Sequence, residues 1–329
     1  CEDPDLQAEK KAGGSFVPRR QNRGDQMNKE IEAVKKIQAG YKPSLSFSKP
    51  LDGAKLRVLS LGAGVQSSVL ALMAARREIG PRPDVMIFAD TGFEPKKVYT
   101  HLKWLTDEIK RLTNGQVKVL QVSAGNIKDD HLAGRNSTGQ QFAGIPFFTQ
   151  SGGMGRRQCT SEYKIQPVTK KLRELLGLKY RQHAPKVPTV ELWMGISTDE
   201  VQRMKESQHK WLKHRWPLIE EQMSRQDCLA WFNKEYPTRR LAKSACIVCP
   251  FHSNEEWRRL RDETPDEWQE AVDFDAAIRH GGTKLKGMKE QQYAHRSCVP
   301  LDEVDLSTAA DKGQAEFGFL EECEGMCGV

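Results

Sequence analysis

Between residues 56 and 122, apolar runs of strand length alternate with helical stretches, and no other feature narrows the fold of this chain so far. Leu56-Arg57-Val58-Leu59-Ser60-Leu61 is one such run, ending at Gly62. Val69 to Arg77 reads as a helix whose buried side is Val69, Leu70, Leu72, Met73 and Ala74. Val85-Met86-Ile87-Phe88-Ala89 is a second strand, closed by Asp90-Thr91-Gly92. A helix over 95–112 and a strand over 117–122 follow. Strands joined by helical crossovers run parallel, so the expected architecture is α/β: a doubly wound, mostly parallel sheet with helices on both faces. A mainly helical, Cys-containing C-terminal region comes after it. Residues 134–158, rich in Gly, Ser, Thr, Gln and Arg, read as a long functional loop. Ile165–Leu176 reads as a helix and Val190–Ile196 as a further buried strand. The region after Ser224 reads as mostly helical, with Trp231, Trp257 and Trp268 as packing anchors.

At 329 residues the chain has room for two domains, or one large α/β domain with an appendage. The expected division is a basic, partly disordered arm (1–50), a nucleotide-binding α/β domain (51–223), a helical Cys-x-x-Cys region completing the site (224–300) and an acidic tail (301–329). The net charge of +7 is uneven. Residues 156–243 hold 19 basic and 10 acidic side chains, whereas 301–329 hold 1 and 8. The middle of the chain is a candidate surface for phosphates, compatible with nucleic acid. No stretch approaches the ~18 uninterrupted apolar residues of a membrane span. The opening Cys1-Glu2-Asp3-Pro4-Asp5 lacks the basic-then-apolar order of a secretion signal. The expectation is a cytoplasmic protein with no membrane partner.

The turn after the first strand, Ser60-Leu61-Gly62-Ala63-Gly64-Val65-Gln66-Ser67-Ser68, is the first chemical signal. Small residues admit an anion close to the backbone, the following helix aims its unpaired N–H groups at it, and Ser67 and Ser68 add hydroxyls. Gly62-x-Gly64 is like a dinucleotide fingerprint lacking its third glycine, with Asp90 where a ribose-binding acid would sit. No Gly-Lys-Ser/Thr is present, which excludes a Walker-type loop.

The second signal makes the comparison more specific. Ser60 to Ser68, followed by Asp90-Thr91-Gly92 with Glu94 and Tyr99, resembles the phosphoadenosine-phosphosulfate (PAPS) reductase family of the ATP-pyrophosphatase superfamily. Further along lie Arg157-Gln158-Cys159-Thr160 with Tyr163-Lys164-Ile165, and Gly195-Ile196-Ser197-Thr198-Asp199-Glu200 with Arg203. Cys246-Ile247-Val248-Cys249-Pro250-Phe251 and His295-Arg296-Ser297-Cys298 complete the resemblance, which covers about residues 56–300. It implies an adenine nucleotide, ATP or PAPS-like, across the C-terminal edge of the sheet. Its contacts would be Ser60, Gly62, Ala63, Gly64, Gln66, Ser67, Ser68, Asp90, Thr91, Gly92 and Arg203. The pyrophosphatases carry an Asp where this chain has Gln66, a departure that bears on ATP cleavage. Asp199, Glu200 and Arg203 follow a buried strand and read as an ion pair, a Mg²⁺ contact or, for Arg203, a phosphate contact.

The cysteines are the third signal. Cys246-x-x-Cys249 places two thiols near one centre, Cys159 follows Arg156 and Arg157, and Cys298 follows His295 and Arg296. By count, Cys159, Cys246, Cys249 and Cys298 suit a [4Fe–4S] cluster or a zinc equally, and the resemblance favours iron–sulfur. In the family a Cys-Cys pair usually stands where Gln158-Cys159 is found here, so either Cys298 is the fourth ligand or one iron is open. Cys228 reads as core. Glu322-Cys323 matches the start of the reductases' mobile Glu-Cys-Gly-x-His tail, without the His, so Cys323 with Cys327 reads as a candidate nucleophile and its resolving partner, as a second metal pair, or as a flexible tail. Asp129-Asp130-His131 reads equally as helix capping.

The leading functional expectation is an enzyme using Cys159, Asp90, Asp199 and Cys323 for ATP-dependent, iron–sulfur-assisted sulfur transfer to tRNA or DNA, supplied by a sulfur or thiol donor protein. Trp211 and Trp216, interleaved with the basic residues, favour the nucleic acid. The alternatives are a sulfonucleotide reductase and a non-catalytic nucleotide- or nucleic-acid-binding module.

Overall fold

The computed structural model describes residues 48–135, 144–241, 243–279, 290–308 and 311–313. The arm up to residue 47 and the tail beyond 313, with Cys323 and Cys327, lie outside the described residues. Five strands, β1 (Leu56–Leu61), β2 (Val85–Asp90), β3 (Lys118–Ser123), β5 (Val190–Trp193) and β6 (Leu212–Arg215), form one sheet in the order β3-β2-β1-β5-β6. Every pairing in it is parallel. The fold class is therefore α/β. A separate antiparallel pair joins β4 (Phe148–Thr149) to β7 (Gln292–Tyr293), tying the long loop to the C-terminal region.

Eight α-helices follow in chain order among the described residues. They are α1 (Val65–Ala75), α2 (Lys96–Leu112), α3 (Ile127–Leu132), α4 (Gln166–Leu175), α5 (Pro217–Glu220), α6 (Arg225–Glu235), α7 (Asn254–Glu263) and α8 (Pro265–Arg279). None is long and apolar enough to cross a membrane. On one face of the sheet, Leu59, Leu61, Met86, Phe88 and Trp193 pack with Val69, Leu70, Leu72, Leu102, Leu105 and Phe232. Helices α1, α2 and α6 supply the last six. Helix α1 is buried on nearly every side because it lies among all three partners, which is why its apolar residues show no single stripe. Cys228 is buried in this core. On the opposite face α4 packs on β2 and β3.

A second core joins Phe93, Ile127 and Phe147 to Ile247, Val248, Trp257, Leu260, Phe274 and Leu301. Trp257 is fully buried there, while Trp268 packs against its edge and Trp231 against the first core. The start of the acidic tail belongs to the same core through Leu301 and Leu306.

Glu191 stands in the middle of an apolar strand and is fully buried. Arg57 and Arg215 flank it at 3.7 and 3.5 Å, and the Trp193 indole donates to it at 2.7 Å. The backbone amide of Leu51 also bonds its carboxylate, sewing the strand that enters the sheet onto β5. Trp211 and Trp216 are both buried, at 4% and 2% exposure, so neither is available to stack on a nucleic-acid base. That element of the sequence argument is corrected: these indoles pack the far edge of the sheet.

Candidate functional site

Strand order reverses between β1 and β5, since the chain winds outward from β1 through β2 and β3 and then returns on the other side. Loops leaving two such strands diverge, and the crevice between them is where open α/β sheets bind ligands. A cavity of about 360 Å³ occupies this place. Its lining includes Ser60, Gly62, Gly64, Gln66 and Ser67 from the β1–α1 turn, and Met194, Gly195 and Ile196 from the end of β5.

Helix α1 begins at Val65, four residues earlier than the apolar pattern suggests, so Gln66 and Ser67 sit in its first turn. Gly64 precedes it in extended conformation (φ −91°, ψ −172°), with no side chain capping the first amides. Ala63 takes a left-handed φ of 57° to make the turn. The Gly62 amide donates to Ser67 Oγ at 3.2 Å, which folds the loop back over the helix start. Opposite it, Gly195 has no space for a side chain: a Cβ would lie 2.9 Å from the backbone N and Cα of Ser67. The two walls of the crevice are held in contact by that glycine. Gln66, 4% exposed, donates to Ser197 Oγ at 3.3 Å and accepts from Arg225 Nη1 at 3.2 Å, joining α1, β5 and α6.

The other residues expected at the site divide by position. Ser68 turns into the core, where its hydroxyl meets His101 Nε2 at 2.9 Å. Asp90 accepts from Gly92 N (2.8 Å), Tyr99 Oη (2.8 Å) and Gln121 Nε2 (2.6 Å), so its carboxylate holds the β2 turn. Gly92, with φ 74°, passes so close to Asn126 that a Cβ would touch its Cα at 3.0 Å. Asp199 accepts from the first amide of α6, Arg225 N, at 3.1 Å. Arg203 pairs with Glu200 at 2.5 Å, both buried. None of Ala63, Ser68, Asp90, Thr91, Gly92, Asp199 and Arg203 lines the cavity. They shape its walls from behind. Asp129 is bonded through its amide to the cap residue Asn126, Asp130 accepts from Tyr163, and His131 is packed between Phe147 and Phe274.

Sequence reasoning assigned no role to the cavity's second wall. Ser161, Lys164, Ile165, Val168 and Thr169 line it from one side of a π-helical turn (Thr160–Ile165) running into α4. Their spacing of three and four is a helical face, a legible signal that motif matching passed over. Lys205, Gln208, His209 and His214 close the far side.

Behind Lys164 stands a thiol centre. Its ammonium is 3.7 Å from the carboxylate of Glu94, whose side chain is fully buried. Thr91 donates to Glu94 at 3.2 Å and shares a hydrogen bond with Cys246 Sγ at 3.2 Å, and Cys246 reaches Glu94 at 3.9 Å. Burial, then the Glu94 carboxylate, holds the Cys246 thiol well above its ordinary pKa, and a thiolate at neighbouring Cys159 would raise it further. Cys159 and Cys246 pack against the same apolar cluster. Cys249 follows one turn on, its amide bonded to the Cys246 carbonyl at 3.0 Å. Cys298 points elsewhere, donating to the Thr149 carbonyl at 3.4 Å from a left-handed backbone (φ 53°). His252 and His295 are engaged with protein partners, Cys246 O and Asn254 Oδ1. Among the described residues, no three His, Cys, Asp or Glu side chains form a group able to hold a metal ion. The four-thiol donor set is therefore not gathered in this arrangement. Comparison of the chain with protein-family models and with curated proteins finds no match.

Proposed function

We propose that the chain is an enzyme that binds an adenine nucleotide in the β1/β5 crevice and uses the thiols behind it to transfer sulfur. One observation carries this reading: Lys164 lines the nucleotide-sized cavity while its ammonium stands 3.7 Å from Glu94, the carboxylate against Cys246. A phosphate in the crevice and a sulfur nucleophile beside it would thus share one charged neighbour.

The phosphates lie on the Gly62–Ser67 turn, where the first-turn amides of α1 and the Lys164 ammonium meet their charge. An acceptor carbonyl oxygen attacks the α-phosphorus, the bond to the bridging oxygen breaks, and pyrophosphate leaves. A persulfide on Cys159, loaded by a donor protein, then attacks the activated carbon, and AMP departs with the oxygen. Cys246 resolves the remaining S–S bond, its proton passing to Glu94, and the resulting disulfide is reduced by an external thiol protein. The acceptor is a nucleic acid in this proposal, on the strength of the +9 segment and of Arg156 and Arg157, separated from Cys159 by Gln158 alone.

The test is calorimetric and chemical. ATP should bind the wild-type protein, and Lys164→Met should weaken it about tenfold or more, the worth of a hydrogen bond to a charged group. With nucleic acid and a persulfide donor, pyrophosphate release should depend on Cys159. No binding of ATP would sink the reading, and sulfite release from PAPS would replace transfer with reduction.

A further inference from the structure

The proposed nucleotide site contains a side chain whose hydrogen-bonding sense is set by the fold. His214, near the end of β6, shares the sheet face of Leu192, its direct partner in the register, and both line the cavity. Its Nδ1 lies 2.7 Å from the Lys205 carbonyl oxygen. A carbonyl only accepts, so Nδ1 carries the proton. Burial lowers the pKa of this imidazole, outweighing the Lys205 carbonyl, and keeps it neutral. Nε2 then presents a bare lone pair, and no described residue hydrogen-bonds it. The cavity that His214 lines also offers Leu192, Met194, Ile196, Leu212, Ile165 and Val168, apolar side chains suited to a flat ring system, with the polar 205–209 loop beside the imidazole.

We propose that His214 is the specificity-determining residue for the base: its Nε2 accepts a hydrogen bond from the exocyclic 6-amino group of a purine held between α4 and the 205–209 loop. The Lys205 carbonyl is the positioning element, because it fixes which ring nitrogen is the acceptor. The proposal rests on the nucleotide-binding reading of the cavity and extends it to how the base is chosen. A purine without the amino group leaves the lone pair unpaired in the complex and loses affinity.

Calorimetry with ATP and with purine riboside triphosphate, which has hydrogen at position 6, separates the possibilities. Wild-type protein should prefer ATP by about tenfold or more. His214→Leu should bring the two ligands within about twofold by weakening ATP alone, and His214→Gln, whose Oε1 can accept, should restore part of the preference. Melting temperatures establish that each variant is folded, and the ratio of the two affinities is insensitive to general loosening of the site. An unchanged preference in His214→Leu overturns the role of His214 while leaving nucleotide binding intact. Absence of ATP binding to the wild type overturns both.

Discussion

Glu94 and Cys246 show what a single buried charge does to its neighbour. The carboxylate faces the thiol across 3.9 Å and is itself met by Lys164 and Thr91. Removing its charge in Glu94→Gln takes away the second-largest cause of the raised Cys246 pKa, so the pH midpoint of Cys246 alkylation should move down. Mass spectrometry of the Cys246 peptide across a pH series with iodoacetamide reads this directly, and an unmoved midpoint would mean burial alone sets the thiol. Residue types announced this neighbourhood in the sequence, since Asp90-Thr91-Gly92, Glu94 and the Cys-x-x-Cys are all plain to read. Their division of labour was not legible. Asp90, Asp199 and Ser68 have the chemistry of site residues, yet each is spent on a backbone turn, a helix start or a buried histidine. Only packing decides whether a polar side chain faces a cavity or the wall behind it.

At the scale of elements, the crevice depends on two chain segments touching where no side chain fits. Gly195→Ala places a methyl 2.9 Å from the backbone of Ser67, and backbone on both sides cannot yield as a flexible side chain would. The end of β5 and the start of α1 must part, at a cost of about 1–3 kcal/mol for overpacking. The expected outcome is a folded protein with a lower melting temperature and at least about tenfold weaker ATP binding. Full affinity would mean that the turn does not grip the phosphates. β1 and β2 were legible because a buried parallel strand is a continuous apolar run, and both fall within a residue of the pattern. β3 lies one residue beyond its expected span although it is half exposed, and the short β6 was not read at all. The start of α1 was not, since Gly64-Val65-Gln66-Ser67 reads equally as loop or first turn. The pairing of β4 with β7, 144 residues apart from Phe148 to Gln292, leaves no local mark at all.

Two cores divide the described molecule, yet both belong to one compact unit, and beside each lies a histidine whose pKa burial lowers. His101 lies beneath α1 against Ser68, and His131 is packed between Phe147 and Phe274 of the second core. Burial lowers both to about 4. An unfolded imidazole titrates near 6.5, so between that pH and about 4 the unfolded chain binds protons that the folded one refuses. Stability contributed by these groups is therefore complete above pH 6.5 and lost as the pH falls toward 4. At pH 5 the loss is about 2 kcal/mol for each histidine. This window lies above the ordinary carboxylate range, which separates it from acid unfolding driven by Asp and Glu. Urea unfolding at pH 7.5 and pH 5 should show the midpoint falling in a single transition if the two cores are thermodynamically one. His131→Leu, which removes a titrating group from the second core only, should then flatten the pH dependence of that one transition by about a third or less, because burial lowers His295 to about 4 and lowers His214 as well. Two transitions, of which only one responds to His131→Leu, would show instead that the sheet and the helical region unfold separately, and that the crevice and its thiols can be uncoupled by acid.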